Sequence, residues 1–411
     1  MKTYLRISFY FAAFTLLFAS CSDFFEPDSD DKLLEGDHYK KVSEVYSAFV
    51  GTAAVFQEAA SHALILNELL GAQTIPTETA PEEYWNVAKY DFSPENRLIS
   101  PEPFYKVIIN CNDFLRHITA FGAENPASIE EAYYKGMISQ AINFRAWCYL
   151  MLGKLYGEAV YFDDAINDYR DMSGYPSLTL EQLLPELIAF VKNGTNGIGG
   201  LNGLDWSVFL NIPNDVSWNR VSVDGNVLLG EMYLWQKDYL NALRHLKVNT
   251  DITTGDQTNR WKLSAQYGST GWRSIFAGTV GATSETITAI PFDATKNQTN
   301  PAYLAYIAMY DLAPADSLVG MFDRQVMTGG RIGDMYRKMS TIGSIRDYET
   351  MGKMGDICLK YRTESSPIIV SRAAELHLMM AEALAGLGRF EEAMILVNLG
   401  AKPYWTTVES A

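Results

Sequence analysis

Two helix-hairpin signatures recur in the chain with the same internal spacing. Gly230 is followed by Tyr233, Tyr239, Ala242 and Leu246, and Ala381 is followed by Leu384, Phe390, Ala393 and Val397. A small residue lets two antiparallel helices approach closely. An aromatic fills the gap at their turn, and Ala with an apolar residue closes the seam. Ala146, Tyr149 and Gly153 give a weaker third copy. Such a unit cannot bury its apolar face alone, so the spacing predicts a mainly α body of stacked helix pairs.

The order of residues matches the tetratricopeptide pattern. Helical periodicity runs from Val42 through Val45, Tyr46, Phe49, Val50 and Ala53 to Leu70, and stops at Gly71. It resumes over 104–120, 129–157, 180–192, 222–248, 367–388 and 390–399. Residues 72–103 carry Pro76, Pro81, Pro94, Pro101 and Pro103 and read as a long loop. Gly194, Gly197, Gly199, Gly200 and Gly203 mark a turn-rich excursion. Glu285 to Phe292 is the one strand-like run in a polar stretch over 251–300, and 301–355 is mixed.

The N-terminus speaks to compartment. Lys2 and Arg6 precede an apolar run from Ile7 to Phe18, and Ala19-Ser20 lead to Cys21. This resembles a bacterial lipoprotein signal, with Phe18-Ala19-Ser20-Cys21 as its lipobox. The expected organisation is a signal peptide over 1–20, a flexible acidic tether over 21–38, and one helical domain over 39–411. Cys21 would carry the lipid, since several acyl chains on one residue hold a protein to a bilayer. After residue 21 no run of about 18 consecutive apolar residues follows. The chain has 33 basic and 49 acidic residues, a formal net charge of −16, and loss of Lys2 and Arg6 takes this to −18. That balance argues against nucleic acid as a partner, because phosphate binding wants a basic surface. Cys111, Cys148 and Cys358 lie far apart in apolar patterns and read as buried small residues, not as a metal or redox set.

Further motifs then fall into place. Phe104 to Leu115, with its Asn110-Cys111-Asn112 core, resembles a helix of SusD/RagB-type proteins. Arg145-Ala146-Trp147-Cys148-Tyr149 followed by Leu155-Tyr156-Gly157-Glu158 is similar to another, and Trp218-Asn219-Arg220-Val221-Ser222 leads into a third. Lys360-Tyr361-Arg362, Arg372-Ala373-Ala374-Glu375-Leu376 and Ala381-Glu382-Ala383-Leu384 form the most specific block, and Asn398 also fits. The resemblance implies tetratricopeptide-like helix pairs with a loop-rich ligand-binding face and a few short strands. It implies a surface-facing lipoprotein of the outer membrane. Such a protein captures a glycan, or in some members a peptide, and delivers it to a SusC-like TonB-dependent transporter without cofactor, metal or catalysis. The family continues into helices with an ER..EL..EG.R..D pattern, whereas this sequence ends at Ala411, so a short or truncated C-terminal subdomain is expected.

The family's ligand residues sit in variable loops, so candidates come from chemistry. A sugar ring has an apolar C–H face and a rim of hydroxyls, and wants a flat aromatic beside polar groups. The chain holds 24 Tyr and 8 Trp, more than helix seams need. Tyr84-Trp85-Asn86 in the Pro-rich stretch, Trp206 after the Gly-rich excursion, and Arg260-Trp261 with Tyr267 are the candidates. Trp147 and Trp235 lie in helical patterns and read as core, and Trp218 and Trp272 as framework packing. The five His are dispersed, and no HExxH, GxSxG or phosphate loop is present. A surface glycoside hydrolase or lyase is the enzyme alternative, and a tetratricopeptide adaptor a weaker one. No carboxylate pair is singled out by spacing.

Overall fold

The computed structural model describes residues 39–166, 174–202, 222–248, 275–276, 285–327, 331–332, 335–344 and 355–399. The chain falls into two units, 1–45 and 46–411. In the first, the described residues lead into helix α1 (Val42–Leu70). In the second, α1 continues and is followed by strand β1 (Thr74–Pro76), α2 (Glu82–Ala88), α3 (Glu102–Glu124) and α4 (Glu131–Tyr156).

Aromatic packing joins α1, α3 and α4. Phe56 stacks on Phe144 at 4.3 Å and meets the edge of Trp147 at 5.1 Å, and Phe49 lies 5.4 Å from Phe114. Cys111 and Cys148 are buried in these helices as free thiols, and burial pushes the Cys111 thiol up to about 12. By length and composition α1 is apolar enough to cross a membrane, the one such helix among the described residues. More than half of its apolar window is buried inside the protein, as in a core helix.

After α4, β2 (Glu158–Val160) and β3 (Ser177–Thr179) pair antiparallel and lead into α5 (Leu180–Asn193). Thr179 and Gln182 close a capping box at its start. Arg145 and Tyr149 hold the 158–162 segment to α4. The Tyr149 hydroxyl donates to the Phe162 carbonyl at 2.9 Å, and the buried guanidinium lies 4.2 Å from the Phe190 ring. Asn143 Nδ2 donates to the carbonyls of Gly200 at 2.8 Å and Val223 at 2.9 Å, tying the glycine-rich excursion to the core.

Helices α6 (Gly225–Trp235) and α7 (Tyr239–Lys247) are capped by Asp224 and Asp238. Here the repeat logic is visible in atoms. A Cβ on Gly230 would stand 2.4 Å from Leu246 Cδ2, so a larger residue there would force the Leu246 side chain to shift. The chain goes on through β4 (Thr286–Ile290), β5 (Leu312–Pro314), α8 (Asp316–Arg324), β6 (Val326–Met327), β7 (Arg331–Ile332), α9 (Met335–Thr341), β8 (Ile342–Ser344), β9 (Asp356–Cys358) and β10 (Ile368–Arg372). The last pair is α10 (Ala373–Gly386) and α11 (Phe390–Leu399). The Tyr239 ring packs against Gly386, locking one repeat onto the next.

Four expectations are corrected. The supposed loop over 72–103 contains β1 and α2, because its prolines stand at the ends of elements or between them and not in helix interiors. Pro81 and Pro101 occupy helix N-cap positions, and Pro103 sits in the first turn of α3. The helix expected over 367–388 begins only at Ala373. Its β-branched start, Ile368-Ile369-Val370, pairs with β4, and Arg372 bonds Glu285 at 3.0 Å. Trp235 is 48% exposed, because it ends α6 beside the Lys154 side chain. In the second repeat copy Leu396, not Val397, enters the seam. Phe390 and Val397 remain 65% and 54% exposed, on a face of α11 that no described element covers.

Candidate functional site

A cavity of about 880 Å³ opens where the β1–β5 ladder, α2 and the β8–β9 ladder converge. Its wall carries Trp85, Tyr310, Thr77, Thr79 and Ser344, with the carboxylates of Glu78, Asp316 and Asp356. The pairing Thr74↔Pro314, Ile75↔Ala313 and Pro76↔Leu312 brings segments far apart in sequence into one floor.

Each group is positioned by a local cause. Trp85 sits on the seven-residue helix α2, which starts after Pro81. Buried Asn96 fixes that helix to the next turn, donating to the Glu83 carbonyl and accepting from Leu98 N–H, both at 2.9 Å. Lys89 Nζ lies 5.5 Å from the indole centroid. Tyr310 has φ +55, a left-handed conformation that costs an aromatic residue about 1 kcal/mol or more. It is held there from three sides. Its hydroxyl donates to the Asp356 carbonyl at 3.1 Å, its carbonyl accepts from Thr77 Oγ1 at 2.5 Å, and Thr77 N–H donates to Asp311 at 2.9 Å. A Cβ on Gly355, at φ +148, would stand 2.3 Å from the Tyr310 hydroxyl oxygen. Glycine there keeps the ring in place. Burial, then the Asp356 charge, raises the Tyr310 hydroxyl pKa, so it stays a neutral donor.

Among the described residues, Glu78, Asp316 and Asp356 form no ion pair. The wall therefore combines a partly exposed indole, the buried Tyr310 ring behind it, hydroxyl groups and exposed acceptors. That is the chemistry a polyhydroxylated ring can satisfy.

A second, smaller cavity of about 340 Å³ lies among α1, α4, α6, β10 and α10. Trp147, Met151 and Met379 line it with the Lys154–Glu231 ion pair at 2.6 Å. Glu375 reaches solvent through this cavity yet is densely surrounded by protein. Desolvation, reinforced by Glu231 and opposed by Lys154 and Arg372, raises its carboxyl to about 7. Its apolar walls are helix-seam residues, so it reads as an imperfectly filled core layer.

Of the sequence candidates, Trp85 lines the larger cavity. Tyr84 and Asn86, on the same helix, are half-buried and not in its wall. The Tyr84 hydroxyl is raised by burial and then by Asp311 and Glu83, and the Asn86 carbonyl accepts from Asp91 N–H at 2.8 Å. Cys21, Trp206, Arg260, Trp261 and Tyr267 lie outside the described residues, as do Trp218 and Trp272. Tyr310, Glu78, Asp316 and Asp356 were not singled out from sequence. Tyr310 stands in the mixed 301–355 stretch with no motif around it, and only the strand pairing brings it to Trp85.

No protein-family model matches the sequence, and no curated protein does. Solved structures match over most of the chain. A laminarin-binding SusD-like protein superimposes with a TM-score of 0.64 at 14% identity, covering 89% of this chain and 86% of that one. A SusD superfamily protein from Bacteroides vulgatus gives 0.63 at 14% identity, covering 91% and 80%. The surface glycan-binding protein A from Bacteroides uniformis gives 0.58 at 18% identity, covering 82% and 76%. The chain shares the fold of these solved structures, mainly α with helix pairs and short strands.

Proposed function

We propose that this chain is a non-catalytic, lipid-anchored glycan-binding protein of the SusD type. It captures an oligosaccharide or polysaccharide in the Trp85–Tyr310 cavity and hands it to a SusC-like TonB-dependent transporter in the outer membrane. The supporting observation is the juxtaposition, on this fold, of a partly exposed indole, a buried neutral phenol and a rim of carboxylates that form no ion pair among the described residues. The indole takes the C–H face of a sugar, and the rim accepts its hydroxyl protons. Binding needs no bond cleavage, and the transporter supplies the energy. Two solved proteins of this fold are named for glycan binding, one of them for laminarin, which agrees with a sugar ligand.

Anchoring rests on the lipobox ending at Cys21. Cys21→Ser should shift the protein from the membrane fraction to the soluble one; unchanged partition would refute the anchor. Trp206, Arg260, Trp261 and Tyr267 are retained as further ligand contacts, to be tested by alanine substitution. The decisive experiment is a binding screen of the chain lacking residues 1–21 against soluble glycans and oligopeptides, with new reducing ends measured in parallel. Retention of a glycan without cleavage is expected. Turnover would place the protein among hydrolases or lyases, and retention of peptides alone would overturn the sugar reading. Co-purification of a large β-barrel receptor with the tagged lipoprotein is the expected sign of the transporter partnership, and its absence from detergent extracts would count against that part.

A further inference from the structure

We infer that the cavity selects its sugar by charge, preferring amine-bearing to neutral chains and neutral to anionic ones. This inference rests on the glycan-binding reading above and narrows it to a ligand class. Glu78, Asp316 and Asp356 all line the one cavity, all are exposed, and none forms an ion pair among the described residues. Among the described residues nothing neutralises them.

The three come from three separate elements, so the field is a property of the assembled site. Glu78 follows β1, Asp316 opens α8, and Asp356 opens β9. Among the described residues no Lys or Arg is in the wall. The nearby cation is Lys89, which sits over the Trp85 ring beside the cavity and offsets part of one charge. The sequence joining β8 to β9, 345–354, lies outside the described residues and has a formal net charge of zero, Arg346 and Lys353 against Asp347 and Glu349.

Each carboxylate about 7 Å from a ligand charge in water changes affinity about threefold. Three carboxylates, after screening and the Lys89 offset, amount to about tenfold at low salt. A uronate or sulfate group meets this as repulsion and an ammonium group as attraction. Neutral hydroxyls still find acceptors, so charge modulates sugar binding without replacing it.

The test starts from whichever neutral glycan the screen retains. The same polymer is oxidised at C6 to the uronate and, separately, converted to the C6 amine, so that only charge differs. Titration calorimetry of the protein lacking residues 1–21 is then run in about 50 mM and about 500 mM salt, since screening should shrink the effect. The expected result is a uronate about tenfold weaker and an amine several-fold tighter than the neutral polymer at low salt, with both gaps closing at high salt. Glu78→Gln, Asp316→Asn and Asp356→Asn should each shrink the neutral-to-uronate ratio about twofold at low salt. A uronate that binds as well as or better than the neutral polymer, or a ratio unmoved by the three substitutions, overturns the charge inference and leaves glycan binding standing. Retention of anionic glycans alone does the same. If no glycan is retained, or only basic peptides are, the glycan-binding reading itself fails and this inference with it.

Discussion

Replacing Trp85 with alanine removes the one indole among the cavity's described lining residues while leaving the ladder that builds its floor. Stacking of a ring on an aromatic side chain is worth about 1–3 kcal/mol by alanine substitution of nucleic-acid-binding aromatics. At about 1.4 kcal/mol per tenfold, the dissociation constant for the retained glycan should rise about 5- to 150-fold. The fold has to survive for that number to mean anything. A fully buried aromatic buries about 150–250 Å². Trp85 is partly exposed, so about 100 Å² is lost, or about 2.5 kcal/mol at 25 cal/mol/Å². That is less than the roughly 5–15 kcal/mol that holds a domain together. Its helix is also fixed independently by Asn96. Calorimetric titration gives the affinity, and a thermal melt by circular dichroism checks the fold. Trp85→Phe should restore part of the loss, since it returns a smaller flat ring. An affinity within about twofold of the parent in a folded Trp85→Ala protein would remove the indole from the site, because stacking predicts at least 5-fold.

Two further perturbations test how the scaffold is held. Glu375 has its carboxyl raised from 4.5 to about 7. The folded chain therefore holds a proton that the unfolded chain releases between these values, and its contribution to stability falls as pH rises from about 4.5 through 7. Discounted for its solvent contact, the effect is on the order of 1–2 kcal/mol. Glu375→Gln should flatten the pH dependence of the melting temperature across that window and raise stability at pH 8; superimposable profiles of parent and variant would refute the assignment. Asn143→Ala should cost about 2–3 kcal/mol in urea unfolding, because the Gly200 and Val223 carbonyls lose their shared donor. A loss below about 0.5 kcal/mol would mean that water replaces it.

What could be read from the sequence follows the range of the forces involved. The helix pairs were legible because a 3.6-residue period is local, and Gly230 against Leu246 shows that the small position does the job its spacing suggested. The prolines of 72–103 misled because a residue that breaks a helix interior also begins one. Pro81 therefore marks the start of the helix that carries Trp85. Ile368-Ile369-Val370 was merged into the following helix because a short apolar run fits either period, and only pairing with β4 decides. The indole was found from its polar neighbours, although Tyr84 and Asn86 beside it point elsewhere than the cavity wall. Tyr310 was not found. Its place depends on the β1–β5 register, on Gly355 leaving room for its hydroxyl, and on a left-handed backbone, none of which has a local signature. The carboxylate rim is illegible for the same reason, since its members become neighbours only after the ladders form.

The most direct measurement is a crystal structure of the chain lacking residues 1–21 soaked with the glycan that the screen retains. A sugar ring lying on the Trp85 indole, with its hydroxyls on Tyr310 and on Glu78, Asp316 or Asp356, is the predicted result. A ligand ordered elsewhere on the surface, with this cavity holding only solvent, would contradict it.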